Sequence, residues 1–315
     1  MEKNPLSQLE FFERLSESYD QLISWPTRIA AEGMFFKKLV TDNKLKSSLD
    51  VACSTGFHVI MLRRLGLDAS GIDASPKMIE KARTNSVTCG VTVECILGDF
   101  TNMSRRFSEG FDLITCLGDT IAHVRSAHDL KGLFQETYKS LNPGGLVVVQ
   151  TRNYDFVLKH RVRFTPPTGS RNGTEETLFF RLLDFNPKSL NLNVAKFRWH
   201  ENRWESNVYT TEIYPHSKKE LESALKSAGF GKLEFYRNYN FEDYDPNGSD
   251  LILIGQKKGI LKSRNPSRRE KLGGPESSSK AAAKKEPPRL AVAPKVLKAP
   301  STKNAGPTKR PAKRK

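Results

Sequence analysis

Asp73 closes a short apolar run in Gly71-Ile72-Asp73-Ala74-Ser75. A carboxylate at the end of a buried strand suits the paired hydroxyls of a ribose, which donate to it. Upstream, Asp50-Val51-Ala52-Cys53-Ser54-Thr55-Gly56 is a stretch of mostly small residues between an apolar run and a helical one. Small side chains there let the backbone approach a ligand, and the amides opening the next helix add donors. The GxxxxGK[ST] spacing of a phosphate loop is missing. Alone, each feature has a plain structural reading: a tight strand-to-helix turn, or a carboxylate capping a helix. Ser75 is equally well placed for that cap, which frees Asp73 for a ligand. Farther on, Gly98-Asp99-Phe100 sets an acid beside an aromatic ring, a pair suited to an adenine's amine and face. Asn142-Pro143-Gly144-Gly145 marks a turn before a further apolar run.

These residues need a scaffold. Apolar runs at 48–53, 69–72, 91–97, 111–117 and 146–150 predict strands, and helical periodicity falls at 58–65, 76–85 and 127–141. The run 146–150 is continuously apolar, as in a strand buried on both faces. A helix at 218–228, stopped by Gly229, leads to strands at 232–237 and 251–256, expected as a hairpin at the sheet edge. The alternation predicts an α/β fold, with a doubly wound, mostly parallel, seven-stranded Rossmann-like sheet. Between about 153 and 216 the rhythm changes. Extended runs at 177–185, 190–199 and 207–214, with turns at Asn186-Pro187-Lys188-Ser189 and Glu201-Asn202-Arg203, predict an inserted antiparallel sheet. Ahead of the first strand, 6–24 and 27–40 predict two helices, broken at Trp25-Pro26 and placed to lid a site. The expected organisation is a helical lid segment over 1–45, the α/β domain over 46–258 and a tail over 259–315.

Charge divides sharply between these parts. The net charge is +16, and residues 259–315 hold 17 Lys or Arg against 3 Glu, or +14 of it. The folded part is left near neutral, so its function is not legible in the overall basicity. Eight of the 17 prolines also lie in this tail, among Lys, Ala and Ser, a composition that predicts disorder. A flexible basic segment can bind nucleic acid or an acidic partner without sequence preference. Cys53, Cys89, Cys95 and Cys116 form no CxxC pair and no zinc-ligand spacing, so no metal is expected. Scattered thiols, no signal-peptide core and no long apolar span predict a cytoplasmic protein away from the membrane; in a eukaryote the terminal Lys309–Lys315 run would read as a nuclear signal. His58, His128 and His160 lack partners at catalytic spacing, and no GxSxG elbow supports hydrolase chemistry.

The four features, in this order, resemble the class I S-adenosylmethionine-dependent methyltransferases. Asp50–Gly56, Gly71–Ser75, 116–123, Arg152-Asn153-Tyr154-Asp155 and Tyr214-Pro215-His216 are similar to glycine/sarcosine N-methyltransferases and their bacterial relatives, over roughly residues 15–257. The resemblance implies S-adenosyl-L-methionine as cofactor. It would place Asp73 on the ribose, Ala52 at the nucleoside, Asp99 and Phe100 at the adenine, and Leu117 and His123 along the pocket. Arg28 would meet the methionyl carboxylate, with Tyr19 and Trp25 from the same N-terminal segment. Arg152 would bind an amino-acid carboxylate, and Tyr214 and Asp119 would orient the amine. Three positions depart from the family: Ser54 replaces glycine, Phe100 replaces tryptophan, and Asp119 replaces asparagine. A carboxylate at 119 puts glycine itself in question as the acceptor.

The expected function is N-methylation of a small amine or amino acid such as glycine or sarcosine, favoured by Arg152, Tyr154 and Tyr214. Two alternatives stay open from sequence: a methyltransferase acting on nucleic acid or protein recruited by the tail, and a non-catalytic cofactor-binding module. Assembly into a homo-oligomer is an expectation by analogy only.

Overall fold

The computed structural model describes residues 5–172 and 174–260; the basic tail from 261 onward lies outside the described residues. Strands β1 (Ser47–Val51), β2 (Asp68–Asp73), β3 (Glu94–Leu97), β4 (Phe111–Cys116), β5 (Leu141–Arg152), and two later ones, Lys232–Tyr236 and Asp250–Gln256, form one sheet. Every residue of β1 and β4 is buried, as in strands covered on both faces, including the polar Ser47, Ser48 and Asp50 of β1. Helices α4 (Phe57–Arg64), α5 (Pro76–Thr88), α6 (Met103–Arg106) and α7 (Ala127–Ser140) link the parallel strands. Core clusters lie on both faces. One gathers Val59, Leu62, Ile79 and Leu113, the other Leu49, Ile114, Leu133 and Phe134. Strand order reverses at β1, between β2 and β4. Such a reversal opens a crevice at the carboxyl ends of the strands.

The expected hairpin is present: Asp250–Gln256 runs antiparallel to both β5 and Lys232–Tyr236. Helix α8 (Tyr154–His160) follows β5, and the insert then has four antiparallel strands rather than three. These are β6 (Phe164–Asn172), β7 (Glu175–Phe185), β8 (Leu190–His200) and β9 (Arg203–Ile213). The strand absent from the sequence reading is β6, which carries Pro166-Pro167. It survives because it is an edge strand whose register shifts between Thr165 and Thr168, so the prolines leave no ladder bond unmade. Asn142-Pro143-Gly144-Gly145, expected as a turn, lies within β5 as an irregularity in its pairing with β4.

The N-terminal segment is α1 (Gln8–Leu15), α2 (Tyr19–Ile23) and α3 (Trp25–Asp42). Ser7 and Glu10 form a capping box at α1. The expected single helix over 6–24 is interrupted by a tight turn at Ser16–Ser18. The break ahead of α3 falls at Ser24, with φ of 50°, while Pro26 sits within the first turn of α3, where its missing N–H costs nothing. Phe11, Leu15 and Leu22 bury themselves against Phe179 and Val194 of the insert. The lid and the inserted sheet therefore share one apolar cluster. After β9, α9 (Lys218–Ala228) ends at Gly229, whose φ of 106° favours glycine. The last two strands are β10 (Lys232–Tyr236) and β11 (Asp250–Gln256).

Candidate active site

A cavity of about 280 Å³ lies in the crevice beyond β1, β2 and β4. Its floor is the turn after β1, where Ala52 and Ser54 hold φ of 56° and 50°. Side chains rarely adopt that region, and strain of this kind gathers at ligand sites. The turn is held by Asp73: its Oδ2 accepts from the Ser54 amide at 2.8 Å and its Oδ1 from the Ser75 amide at 2.8 Å. Burial raises the Asp73 pKa, and the two amides oppose that rise. Asp73 lines the cavity, and each of its oxygens has capacity to accept a further hydrogen bond. Ser75 Oγ accepts from the Met78 amide, so Ser75 caps α5 as expected. Gly71 permits the close approach of turn and strand, since a Cβ there would meet Cys53 Sγ at 2.7 Å.

The walls carry Asp99, Phe100 and His123, and the roof carries Gln8, Phe12 and Tyr19 from the lid. Asp99 is exposed and caps the turn after β3 through the Thr101 amide at 2.8 Å. The His123 ring meets Phe12 edge-on, with centroids 5.1 Å apart. Burial pulls its pKa down to about 4, which keeps the imidazole neutral, and its Nδ1 is buried without a partner among the described residues.

Next to this cavity, Gly118 and Asp119 turn the chain out of β4 with φ of 73° and 69°. The Gly118 amide donates to Gln150 Oε1 at 2.9 Å, and the Asp119 amide to the Gln150 carbonyl at 3.2 Å. The turn thereby aims Asp119 at the end of β5. Its Oδ1 accepts from Thr151 Oγ1 at 2.7 Å and from the Arg152 amide at 3.1 Å. Its Oδ2 accepts from the Tyr154 hydroxyl at 2.8 Å and lies 3.3 Å from Arg152 Nε. Burial works against the Arg152 charge, but Asp119 and Tyr154 outweigh it and hold its pKa above the ordinary value. Arg152 Nη1 is buried and has no hydrogen-bond partner among the described residues. Burial, then the Asp119 charge, push the Tyr154 phenol well above its usual value, so it remains a hydrogen-bond donor.

Residues 49–145 match a methyltransferase domain family. The glycine/sarcosine N-methyltransferase of Aphanothece halophytica is 28% identical over 253 residues, spanning 80% of this chain and 91% of that protein. The fold matches an S-adenosylmethionine-dependent methyltransferase from Clostridium acetobutylicum with a TM-score of 0.65 at 18% identity, over 79% of this chain and 99% of that one. It also matches the S-adenosylmethionine-bound structure of an amino pentose methyltransferase from Micromonospora echinaspora, with a TM-score of 0.60 at 15% identity, over 82% and 100% of the chains. The chain carries a methyltransferase domain over residues 49–145 and is an S-adenosylmethionine-dependent methyltransferase.

The cavity of this methyltransferase fits its cofactor: it offers a carboxylate with free lone pairs, a neutral imidazole with an unpartnered nitrogen, and an aromatic wall. Ala52, Asp73, Asp99, Phe100, His123 and Tyr19 line it. Leu117 does not, because its side chain belongs to the apolar core and only its carbonyl turns back, to Thr120 Oγ1. Trp25 is half-buried against Phe57 and donates through Nε1 to Asp20 at 3.0 Å. Arg28 reaches the site from behind: its Nη1 lies 3.6 Å from where a Gly118 Cβ would stand.

Tyr214 stands apart from the Asp119–Arg152 group. Its hydroxyl donates to Glu212 Oε2 at 2.7 Å, and Glu212 points outward from β9 and accepts from Ser189 as well. Tyr154, not Tyr214, is the phenol on Asp119. The residues that sequence reasoning missed sit behind Arg28. Glu32 Oε1 accepts from Arg28 Nε at 2.5 Å, and Glu32 Oε2 meets His58 Nε2 at 2.8 Å. His58 Nδ1 lies 3.7 Å from Asp50, which accepts from Thr115 at 2.6 Å. His58, which has no partner at catalytic spacing in the sequence, is thus a buried tie between α3 and β1. Only the i,i+4 spacing of Arg28 and Glu32 was visible beforehand.

Proposed function

We propose that the protein methylates the nitrogen of a small amino acid such as glycine or sarcosine. The observation that carries this reading is Arg152, a nearly buried guanidinium beside the cofactor cavity with one nitrogen still unpartnered. A buried charge with an unmade hydrogen bond is costly, and a carboxylate is the ligand that relieves it. The names of the relatives at about a quarter identity support the same class of acceptor.

In this reading Asp73 takes the ribose hydroxyls, Asp99 and Phe100 the adenine, and Ala52 and His123 pack against the nucleoside. Tyr19, Trp25 and Arg28 close the methionyl end. The bound cofactor supplies a methyl group on a sulfonium, whose S–C bond electrons stay on sulfur as the acceptor nitrogen's lone pair forms the new bond. The protein's share is orientation, which is worth roughly 7–11 kcal/mol when both partners are held in line. Arg152 fixes the acceptor's carboxylate, and Asp119, itself fixed by Tyr154 and Thr151, faces the amine. The amine attacks unprotonated, so the rate rises with pH until the acceptor is deprotonated, and the released proton goes to solvent. Tyr214 reaches the amine only after a rotation away from Glu212.

Steady-state kinetics of Arg152→Ala test this. Loss of a charge-assisted contact worth about 1.5–3 kcal/mol should lower kcat/KM for glycine or sarcosine by roughly 10–100-fold. S-adenosylhomocysteine affinity should stay unchanged. Unaltered methylation by the variant would remove Arg152 from the acceptor site.

A further inference from the structure

A second guanidinium, on the inserted sheet, stands near enough to Arg152 and Asp119 to sense their charges. Arg181 lies on β7, where Phe179 and Leu183 are both 1% exposed. Side chains two apart in a strand share a face, so Arg181 points inward with them, opposite Val194 of β8. Phe179 belongs to the cluster under the lid, and Leu183 to the one containing Tyr154 and Ala122. Arg181 therefore emerges at the seam between lid and acceptor crevice. Its Nη2 donates to the Leu22 carbonyl at 2.9 Å and approaches Thr168 Oγ1 at 3.5 Å. Among the described residues no carboxylate lies within ion-pair distance of it. A neutral carbonyl and a hydroxyl are poor company for a charge shielded from water.

The surrounding charges explain the need for it. Asp119 neutralises Arg152, and Glu32 neutralises Arg28. With those pairs made, Arg181 remains a cation that senses Arg152 and Asp119 and has no ion-pair partner among the described residues. Burial first, then the Arg152 guanidinium, push the Arg181 pKa down, while Tyr19 and Asp119 oppose the fall. The groups that it senses are those of the cofactor roof and the acceptor crevice.

Resting on the amino-acid reading above, we propose that Arg181 is a specificity-determining residue that binds the acceptor's carboxylate jointly with Arg152 Nη1, supplying the positive charge that Asp119 takes from Arg152. The acceptor class is an amine carrying a carboxylate, and its decarboxylated analogue should be a poor substrate. Asp119 and Arg181 then act as a compensating pair, which makes a charge-balance test decisive.

The experiment compares wild type, Arg181→Met, Arg181→Lys and the double variant Arg181→Met with Asp119→Asn, each saturated with S-adenosylhomocysteine and titrated calorimetrically with glycine and with acetate. Methylation kinetics with glycine and sarcosine run alongside. Arg181→Met should weaken glycine and acetate binding and raise KM by about tenfold or more, with S-adenosylhomocysteine affinity unchanged. Arg181→Lys should lose less. Removing the Asp119 charge in the Arg181→Met background should restore most of the loss in acetate binding, because acetate has no amine for Asp119 to face; a purely structural role for Arg181 would not permit that. Wild-type carboxylate binding that Arg181→Met abolishes supports the inference even without methyl transfer. Arg181→Met binding and turning over glycine like wild type would overturn it and leave the amino-acid reading standing. A wild type that binds neither glycine nor acetate would overturn both.

Discussion

At the residue scale, charge is arranged in closed pairs with a few deliberate openings. Asp119 is engaged on both oxygens, yet the residues that engage it leave Arg152 Nη1 open. His123 is another open group among the described residues, and its protonation carries a pH signature. Its folded pKa of about 4 lies below the ordinary 6.5. Between those values the unfolded chain takes up a proton that the folded chain refuses. Stability from this group is therefore complete above about 6.5 and is lost as pH falls to 4, by about 3 kcal/mol. His123→Phe should flatten the fall in urea midpoint over that window. An identical pH dependence in the variant would show that His123 is not buried neutral. Asp73 and the small-residue turn were legible in the sequence because their chemistry is local. The Tyr154–Asp119 bond and the turning away of Tyr214 were not: the first joins residues 35 apart in the chain across the ends of β4 and β5, and the second depends on how the end of β9 presents Glu212.

At the element scale, the lid is tied to the sheet by part-buried polar contacts as well as by the cluster around Phe11 and Phe179. Asn85 on α5 donates to Asp20 at 2.9 Å and to the Thr55 carbonyl at 3.0 Å, and Gln8 donates to the His123 carbonyl at 2.6 Å. The deepest tie is Arg28–Glu32–His58. Burial disfavours the Glu32 charge, but His58 and Arg28 outweigh it and lower its pKa; burial and Arg28 likewise oppose the His58 charge, but Asp50 and Glu32 prevail and raise it. The Glu32 contribution is complete above the ordinary 4.5 and fades as pH falls; that of His58 is complete below 6.5 and fades as pH rises through its raised value. Glu32→Ala should cost roughly 3–5 kcal/mol, because it strands Arg28 and His58 in a dry site. The loss should be greatest between pH 4.5 and 6.5, read from urea midpoints. A loss under about 1 kcal/mol, the size of a surface pair, would mean that water reaches the network. Periodicity gave the buried strands almost to the residue. It failed for β6 and the start of β5, where proline and glycine signal a turn that edge position and an irregular register override.

At the scale of the whole molecule, a nearly neutral catalytic body and a strongly basic terminal segment follow one another in the chain. No helix among the described residues is long and apolar enough to cross a membrane. Among the described residues, the groups assigned to the acceptor, Asp119, Arg152 and Tyr154, come from the turn after β4, from β5 and from α8, and an amino acid offers no phosphate for the terminal lysines to neutralise. Removing residues 261–315 should therefore leave kcat/KM for a free amino acid unchanged. A loss of acceptor affinity on truncation would point to a substrate that the basic segment recruits.

The most direct measurement is mass spectrometry of the products formed by the full-length protein from methyl-labelled S-adenosylmethionine and a panel of glycine, sarcosine and their carboxylate-free analogues. The account predicts label on the nitrogen of glycine or sarcosine and little on methylamine or dimethylamine. Equal labelling of the carboxylate-free amines, or none on any amino acid under conditions where the cofactor binds, would contradict it.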